Sequence, residues 1–282
     1  MNFTFAKDVM PNFIQPSGFI LLRVIGAVTF FSLFYFLFVN EKVAKNDVIR
    51  LAICAVFGVA INQLLFFEGL NLTTPINAAI IMTINPVLVL IMSSLILIEK
   101  INIKKGVGIA LGLLGASNLI LNGGNLSGNG YYMWGNLFVF INAASYGLYL
   151  VLVKPLMQRY HPITVMLYVF SFGLLYVLPF GYNELTVVQW NSFSSKIIWE
   201  VVFVVVCTTF IAYLLNSYAL KSLNPSTVSI YIYLQPVLAT LFAIFRGSDS
   251  LDEMKIISAL IIFFGVYLVS VLPLKEKRQK VS

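Results

Sequence analysis

Two stripes of uncharged polar residues are the best placed to do chemistry in this 282-residue chain. Asn77, Ile81 and Asn85 recur at i, i+4 and i+8, a spacing that puts them on one face of an α-helix. Thr227, Tyr231 and Gln235 repeat that spacing 150 positions later. Each stripe ends directly before a proline, Pro86 or Pro236. A proline inside a helix removes one i→i−4 hydrogen bond and frees a carbonyl. An amide beside a freed carbonyl suits a polar ligand held in a cavity between helices, and it makes the two prolines candidate hinges. Interhelical glue is the competing role, since Asn and Gln also bond across packed helices.

Three further faces add to the candidate set. Asn62 and Gln63 lie in one apolar run, Asn142, Tyr146 and Tyr149 in a second, and Thr209, Tyr213 and Asn216 in a third. Tyrosine combines apolar area with a hydroxyl, which suits ligand pockets, although plain packing explains any one of these residues equally well. Arg23 also lies in an apolar run, where a cation costs a few kcal/mol. It could snorkel, pair with Glu68, or face a cavity and meet a carboxylate-bearing substrate. Glu68 reads as an interfacial carboxylate or a protonatable coupling site. Glu200 sits near a helix start, where the macrodipole favours an anion.

Other chemistry is poorly served. The one histidine, His161, falls in a loop, and Cys54 and Cys207 lie in apolar runs, where free thiols behave as small hydrophobes. No metal-ligand spacing, nucleophile–base pair or pair of intramembrane aspartates is visible. The chain is therefore expected to be no enzyme and to need no cofactor or metal.

The elements that position these residues follow from composition. Hydrophobic residues make up 60% of the chain and charged residues 10%, with mean hydropathy +0.92. Soluble domains carry roughly 45–50% apolar and about 25% charged residues, so the surplus must face lipid. Strand-like alternation is absent and the apolar runs are continuous, which predicts an all-α polytopic membrane protein rather than a barrel. Spans of about 20 residues are expected near Gly18–Val39, Val48–Leu70, Pro75–Ile98, Gly106–Leu121, Tyr132–Leu152, Pro162–Phe180, Ile197–Leu220, Pro225–Phe245 and Met254–Leu274. Residues 1–15 lack the apolar core of a cleavable signal peptide. The net charge of +7 sits in short loops and sets topology, so no nucleic-acid partner is expected.

The chain also repeats itself. Pro75, Pro86-Val87-Leu88, Glu99, Lys105 and Gly115 match Pro225, Pro236-Val237-Leu238, Asp249, Lys255 and Gly265 at a constant offset of 150. Gln15-Pro16 aligns with His161-Pro162 at a slightly shorter offset. Internal duplication accounts for this register better than shared hydrophobicity. The span Tyr132 to Pro155 has only Met1–Gln15 as its counterpart, so the first helix is expected to be incomplete, with a start codon assigned too late as the favoured cause. Five spans per half is odd, so the second copy should be inverted. The basic turn Glu99–Lys105 and its acidic mate Asp249–Lys255 fit that inversion under the positive-inside rule. Lys42, Lys45, Arg50, Lys100, Lys104, Lys105, Lys154, Arg159, Lys221, Lys275, Lys277, Arg278 and Lys280 fall on one side, against Lys7, Lys196, Arg246 and Lys255 opposite. A cytoplasmic C-terminus follows.

Two five-span halves, the Pro16-to-Arg23 start of the second helix, and the paired Asn85-Pro86-Val87-Leu88 and Gln235-Pro236-Val237-Leu238 signatures resemble the EamA-type branch of the drug/metabolite transporter superfamily. Asn2 to Lys7 looks like the tail of that family's first helix, without the Trp-Gly pair that usually precedes it. The resemblance covers essentially the whole chain. It implies a ten-helix fold with a central cavity between a first repeat (residues 1–121) and a second (residues 132–274), then a basic cytoplasmic tail (residues 275–282). It also implies a secondary transporter in the inner (plasma) membrane, working by alternating access on a small-molecule substrate among membrane lipids. Export of an amino acid or related zwitterion fits best, because a phosphorylated substrate would want several embedded cations. A receptor or assembly scaffold without transport activity is the alternative. The small-residue face Gly108, Gly112, Gly115 would serve packing within the first half or a homodimer.

Overall fold

A computed structural model describes residues 2–73, 78, 81–122, 132–245 and 253–270. Every regular element among them is helical. We label them α1 (Asn2–Val9), α2 (Pro16–Phe38), α3 (Lys45–Leu72), α4 (Asn85–Ile96), α5 (Ile103–Asn122), α6 (Tyr132–Arg159), α7 (Pro162–Thr186), α8 (Ser195–Ser222), α9 (225–245, in three pieces) and α10 (Glu253–Ser270). By length and composition five described helices can cross a bilayer, namely α2, α3, α7, α8 and the Met133–Arg159 stretch of α6. The basic tail and the acidic Asp249–Lys255 turn lie outside the described residues, except for Glu253, Met254 and the backbone of Lys255.

Local sequence sets the helix starts. Gln15-Pro16 and His161-Pro162 play the same part in α2 and α7, an extended cap followed by proline at the first turn, where its missing N–H costs nothing. The Gln15 side chain does not cap α2; Glu184 of α7 does so instead, accepting from the Gly18 amide at 2.8 Å. In α8 the Ser194 hydroxyl accepts from the Ile197 amide.

Irregularities recur at corresponding places. A π-helical stretch interrupts α3 at Val56–Ala60 and α8 at Val204–Ile211. The run expected as one helix from Pro75 to Ile98 turns at Thr83-Ile84 and restarts at Asn85, and α9 passes through a 3-10 turn at Ile230–Tyr233 before Leu234–Phe245. Pro86 and Pro236, expected from sequence to lie inside continuous helices, therefore do not kink them. Both sit in the first turn after an interruption, the place where the ring avoids the i−4 carbonyl.

The packing pairs helices across the chain. α2 lies on α7, α5 on α10, and α4 on the first turns of α9, while α3 packs on α6 and α8 on α1. One apolar core joins helices α1 to α4 with α6 to α8, and a smaller one joins α4, α5, α9 and α10. The small-residue face of α5 is buried within the molecule. A Cβ at Gly108 would lie 2.7 Å from the Gly265 carbonyl oxygen, and one at Gly265 only 2.6 Å from the Gly108 oxygen. Outward faces are apolar: Phe36, Leu95, Leu114, Leu215 and Leu260 are all exposed, as a lipid-facing surface requires.

Candidate functional site

The π-helical stretch of α3 begins the site, because widening a helix turn releases carbonyls from their usual i+4 partners. Side chains from other helices take those oxygens. Ser145 donates to the Phe57 carbonyl at 2.7 Å, and just past the stretch Asn142 Nδ2 donates to the Asn62 carbonyl at 2.6 Å. The Tyr213 hydroxyl lies 3.4 Å from the Gly58 carbonyl and 3.3 Å from Asn62 Oδ1. Gly58 is needed here for contact: a Cβ would meet the Tyr149 ring at 2.4 Å.

The second interruption, in α8, does related work. Thr209 Oγ1 donates to the Val204 carbonyl five residues back, at 2.9 Å. The same oxygen accepts from Arg23 Nε at 2.9 Å. Arg23 is 4% exposed, and its guanidinium carbon stands 4.5 Å from the centroid of Phe67, a cation–π contact. Nη1 is buried and has no hydrogen-bond partner among the described residues. Of the roles open to Arg23 from sequence, snorkelling and pairing with Glu68 do not occur. Glu68 instead accepts from Ser17 at 3.1 Å.

A cavity of about 340 Å³ opens against these groups. Asn62, Asn142, Tyr146, Tyr213, Asn216, Tyr231 and Gln235 line it, joined by Arg23 and Gln63. Asn216 Nδ2 donates to the Tyr146 hydroxyl, tying α8 to α6 on its wall. Gln235 stands at the start of the last piece of α9. Sequence reasoning missed Phe66, Phe67, Met82, Thr208 and Ser229, which also line it beside aliphatic side chains; aromatic, methionine and small hydroxyl residues in an apolar run carry no signal that separates wall from core.

Other expected residues go elsewhere. Asn85 is fully buried and gives its Nδ2 hydrogen to the Ala143 carbonyl at 2.7 Å. Tyr149 is 1% exposed, with its hydroxyl 3.8 Å from the Met166 sulfur. Thr227 is buried, and Ile81 packs on the larger core. None of these four lines the cavity. Asn77 lies outside the described residues.

One end of the bundle is closed by polar contacts between loops. Glu99 accepts from Lys105, from the Ser226 hydroxyl, and from Asn224 Nδ2 at 3.2 Å. Lys154 donates to the carbonyls of Leu220 at 2.7 Å and Leu223 at 2.9 Å, where α8 ends. Asp47 collects Arg50, Arg159 and the Tyr160 hydroxyl. His161 Nδ1 accepts from the Ile163 amide, and its ring is held below the usual imidazole pKa, first by burial and then by the nearby Lys221 charge, against the opposing pull of Glu41. At the other end Lys196 bridges Asp8 and the buried Glu200. Among the described residues no group of His, Cys, Asp and Glu is arranged to hold a metal ion.

Comparison with known proteins places this arrangement. Residues 1–121 and 133–271 each match the EamA-like transporter family. An uncharacterized transporter of Archaeoglobus fulgidus is 23% identical over 234 residues, covering 81% of this chain and 78% of the relative. The uncharacterized transporter YyaM of Bacillus subtilis is 26% identical over 82% of this chain and 75% of its own length. The WAT1-related protein At4g30420 of Arabidopsis thaliana is 23% identical, with 94% and 80% covered. One crystal structure superposes with a TM-score of 0.77 at 18% identity, over 96% of this chain and 97% of that one, and so shares the fold.

Proposed function

The chain belongs to the EamA-like transporter family and is a multi-pass membrane transporter, and we propose that it exports a small metabolite, an amino acid or related zwitterion, by alternating access. The observation that carries this reading is the composition of the cavity wall. Arg23, Asn62 and Gln63 come from the first half of the chain, and Asn142, Tyr146, Tyr213, Asn216, Tyr231 and Gln235 from the second. A site shared between two halves is opened to either side when one half rocks against the other. The matching interruptions of α3 with α8, and of the α4 segment with α9, support reading the halves as repeats. Five helices in each half make the second an inverted copy, with Pro86 and Pro236 beside the hinge points. The basic loops favour a C-terminus on the cytoplasmic face of the inner membrane.

The substrate should be small and carry at most one unit of net charge. The cavity is at the lower end of the usual pocket range of about 300–1,000 Å³, and its described lining is amides, hydroxyls, aromatic rings and aliphatic side chains with Arg23 as the cation among them. Counterflow into proteoliposomes preloaded with a mixed amino-acid pool tests the reading. Accumulation of one or a few labelled amino acids is the expected result. No accumulation of any amino acid would overturn the substrate assignment, and accumulation of another metabolite would redirect it.

A further inference from the structure

We propose that Arg23 is a carboxylate-reading group, so that the cavity selects a monocarboxylate anion group and does not require an α-ammonium. The proposal deepens the transport reading and rests on it for its physiological meaning. Three observations on the guanidinium lead there. It is buried at the cavity wall, it forms no salt bridge among the described residues, and Nη1 is without a hydrogen-bond partner. Its remaining contacts, a threonine hydroxyl and a phenylalanine face, orient it without neutralising it.

Arginine stays protonated in proteins, so this charge cannot be relieved by losing a proton. A buried cation without a counter-ion is costly, and proteins normally supply a carboxylate. Here the carboxylates on neighbouring helices are engaged elsewhere, Glu68 with Ser17 and Glu200 with Lys196. Among the described residues no Asp or Glu lines the cavity. The missing anion is therefore expected to arrive with the ligand, as a carboxylate forking onto the guanidinium.

The same inventory limits the ligand. A single cation suits one carboxylate and leaves a phosphate monoester or dicarboxylate undercompensated. With no acidic side chain in the lining, an ammonium has only ring faces and amide oxygens to meet, and so contributes little to selection. Phe66, Phe67, Tyr146 and Tyr213 offer an apolar wall for a side chain of about one ring.

Ligand-induced thermal stabilisation of the purified protein in detergent tests this with matched probes, because a ligand that binds the fold raises its melting temperature. 3-Phenylpropionate and L-phenylalanine should both raise it by a few degrees. L-Phenylalaninamide and phenethylamine, which lack the carboxylate, should not. Arg23→Lys should weaken the stabilisation at least tenfold in ligand concentration and Arg23→Gln should remove it. If Arg23→Gln fails to fold, the paired probes on the unaltered protein still decide. Equal stabilisation by the amide and the acid would overturn the proposal, as would no stabilisation by either carboxylate. Counterflow of amides or amines with carboxylates inert would overturn it while leaving the carrier intact. Carboxylate-selective stabilisation without counterflow of any carboxylate would leave the proposal and sink the carrier reading.

Discussion

Asn85 gives its Nδ2 hydrogen to the Ala143 carbonyl at 2.7 Å, which fastens the restart of the broken α4 segment to the middle of α6. The residue is fully buried and lies off the cavity. Asn85→Ala should therefore lower the stability of the detergent-solubilised protein by about 1 kcal/mol, the usual worth of one interhelical hydrogen bond. Ligand affinity of the folded fraction should stay as it was. A variant that melts normally but no longer binds or transports would return Asn85 to the site.

Gln235, 150 positions after Asn85, has the opposite exposure. It lines the cavity at the start of the last piece of α9 and is open to it. Replacing it with alanine should cut transport at least several-fold while expression and melting temperature hold. Unchanged counterflow in Gln235→Ala would make the polar stripe a packing feature.

The contrast between these two residues marks what sequence could reach. That Asn62, Asn142, Tyr213, Asn216 and Gln235 belong together was legible, because polar side chains in apolar runs must find polar company. Which company was not. Asn85 and Tyr149 have the same polarity and spacing as their neighbours on the wall, yet each is covered by another helix. The 3-10 turn at Ile230–Tyr233 and the π stretch at Val204–Ile211 change the number of residues per turn, so an i, i+4, i+8 rule drifts off its face across them. Nothing in those segments announces the change. Helix identity and order are legible, since twenty apolar residues have few other uses, but sequence points to the proline itself where the chain breaks just before it.

The contact between α5 and α10 is backbone on backbone. A Cβ at Gly265 would approach the Gly108 oxygen to 2.6 Å and the Gly112 nitrogen to 3.0 Å, with no flexible side chain to yield. Gly265→Val should destabilise by about 1–3 kcal/mol and reduce the yield of folded protein in size-exclusion chromatography. Gly106→Ala is the control, since a Cβ there meets nothing within 4 Å. It should be neutral or slightly stabilising, because alanine orders a helix more easily than glycine.

Lys154 caps the end of α8 from outside, with its ammonium set among the carbonyls of Leu220, Lys221 and Leu223. These are oxygens that a helix terminus leaves without partners, and a cation there also meets the negative end of the macrodipole. Lys154→Met keeps the stem and removes the charge. It should cost about 1.5–3 kcal/mol, in keeping with hydrogen bonds to a charged group. Hydrogen exchange would show the loss as faster exchange at the α8–α9 junction. An unchanged junction would mean the carbonyls are satisfied by water instead.

His161 should give that same end a mild acid sensitivity. Its Nδ1 accepts from the Ile163 amide at 3.4 Å, a role open only to the unprotonated nitrogen. Burial and the neighbouring Lys221 hold its pKa below the ordinary 6.5, with Glu41 pulling the other way. Above 6.5 the ring is neutral in both folded and unfolded chains, so the full stabilisation is present. As the pH falls below 6.5 the unfolded chain takes up the proton first, and stability declines until the folded ring is protonated too. Melting temperatures between pH 7.5 and 5.5 should therefore slope downward toward acid, and the slope should shrink in His161→Asn, which keeps an acceptor for the cap but cannot titrate. A slope unaltered by that change would assign the acid sensitivity to carboxylates elsewhere. A folded-state imidazole found by NMR to titrate above 6.5 would reverse the sign and make protonation stabilising.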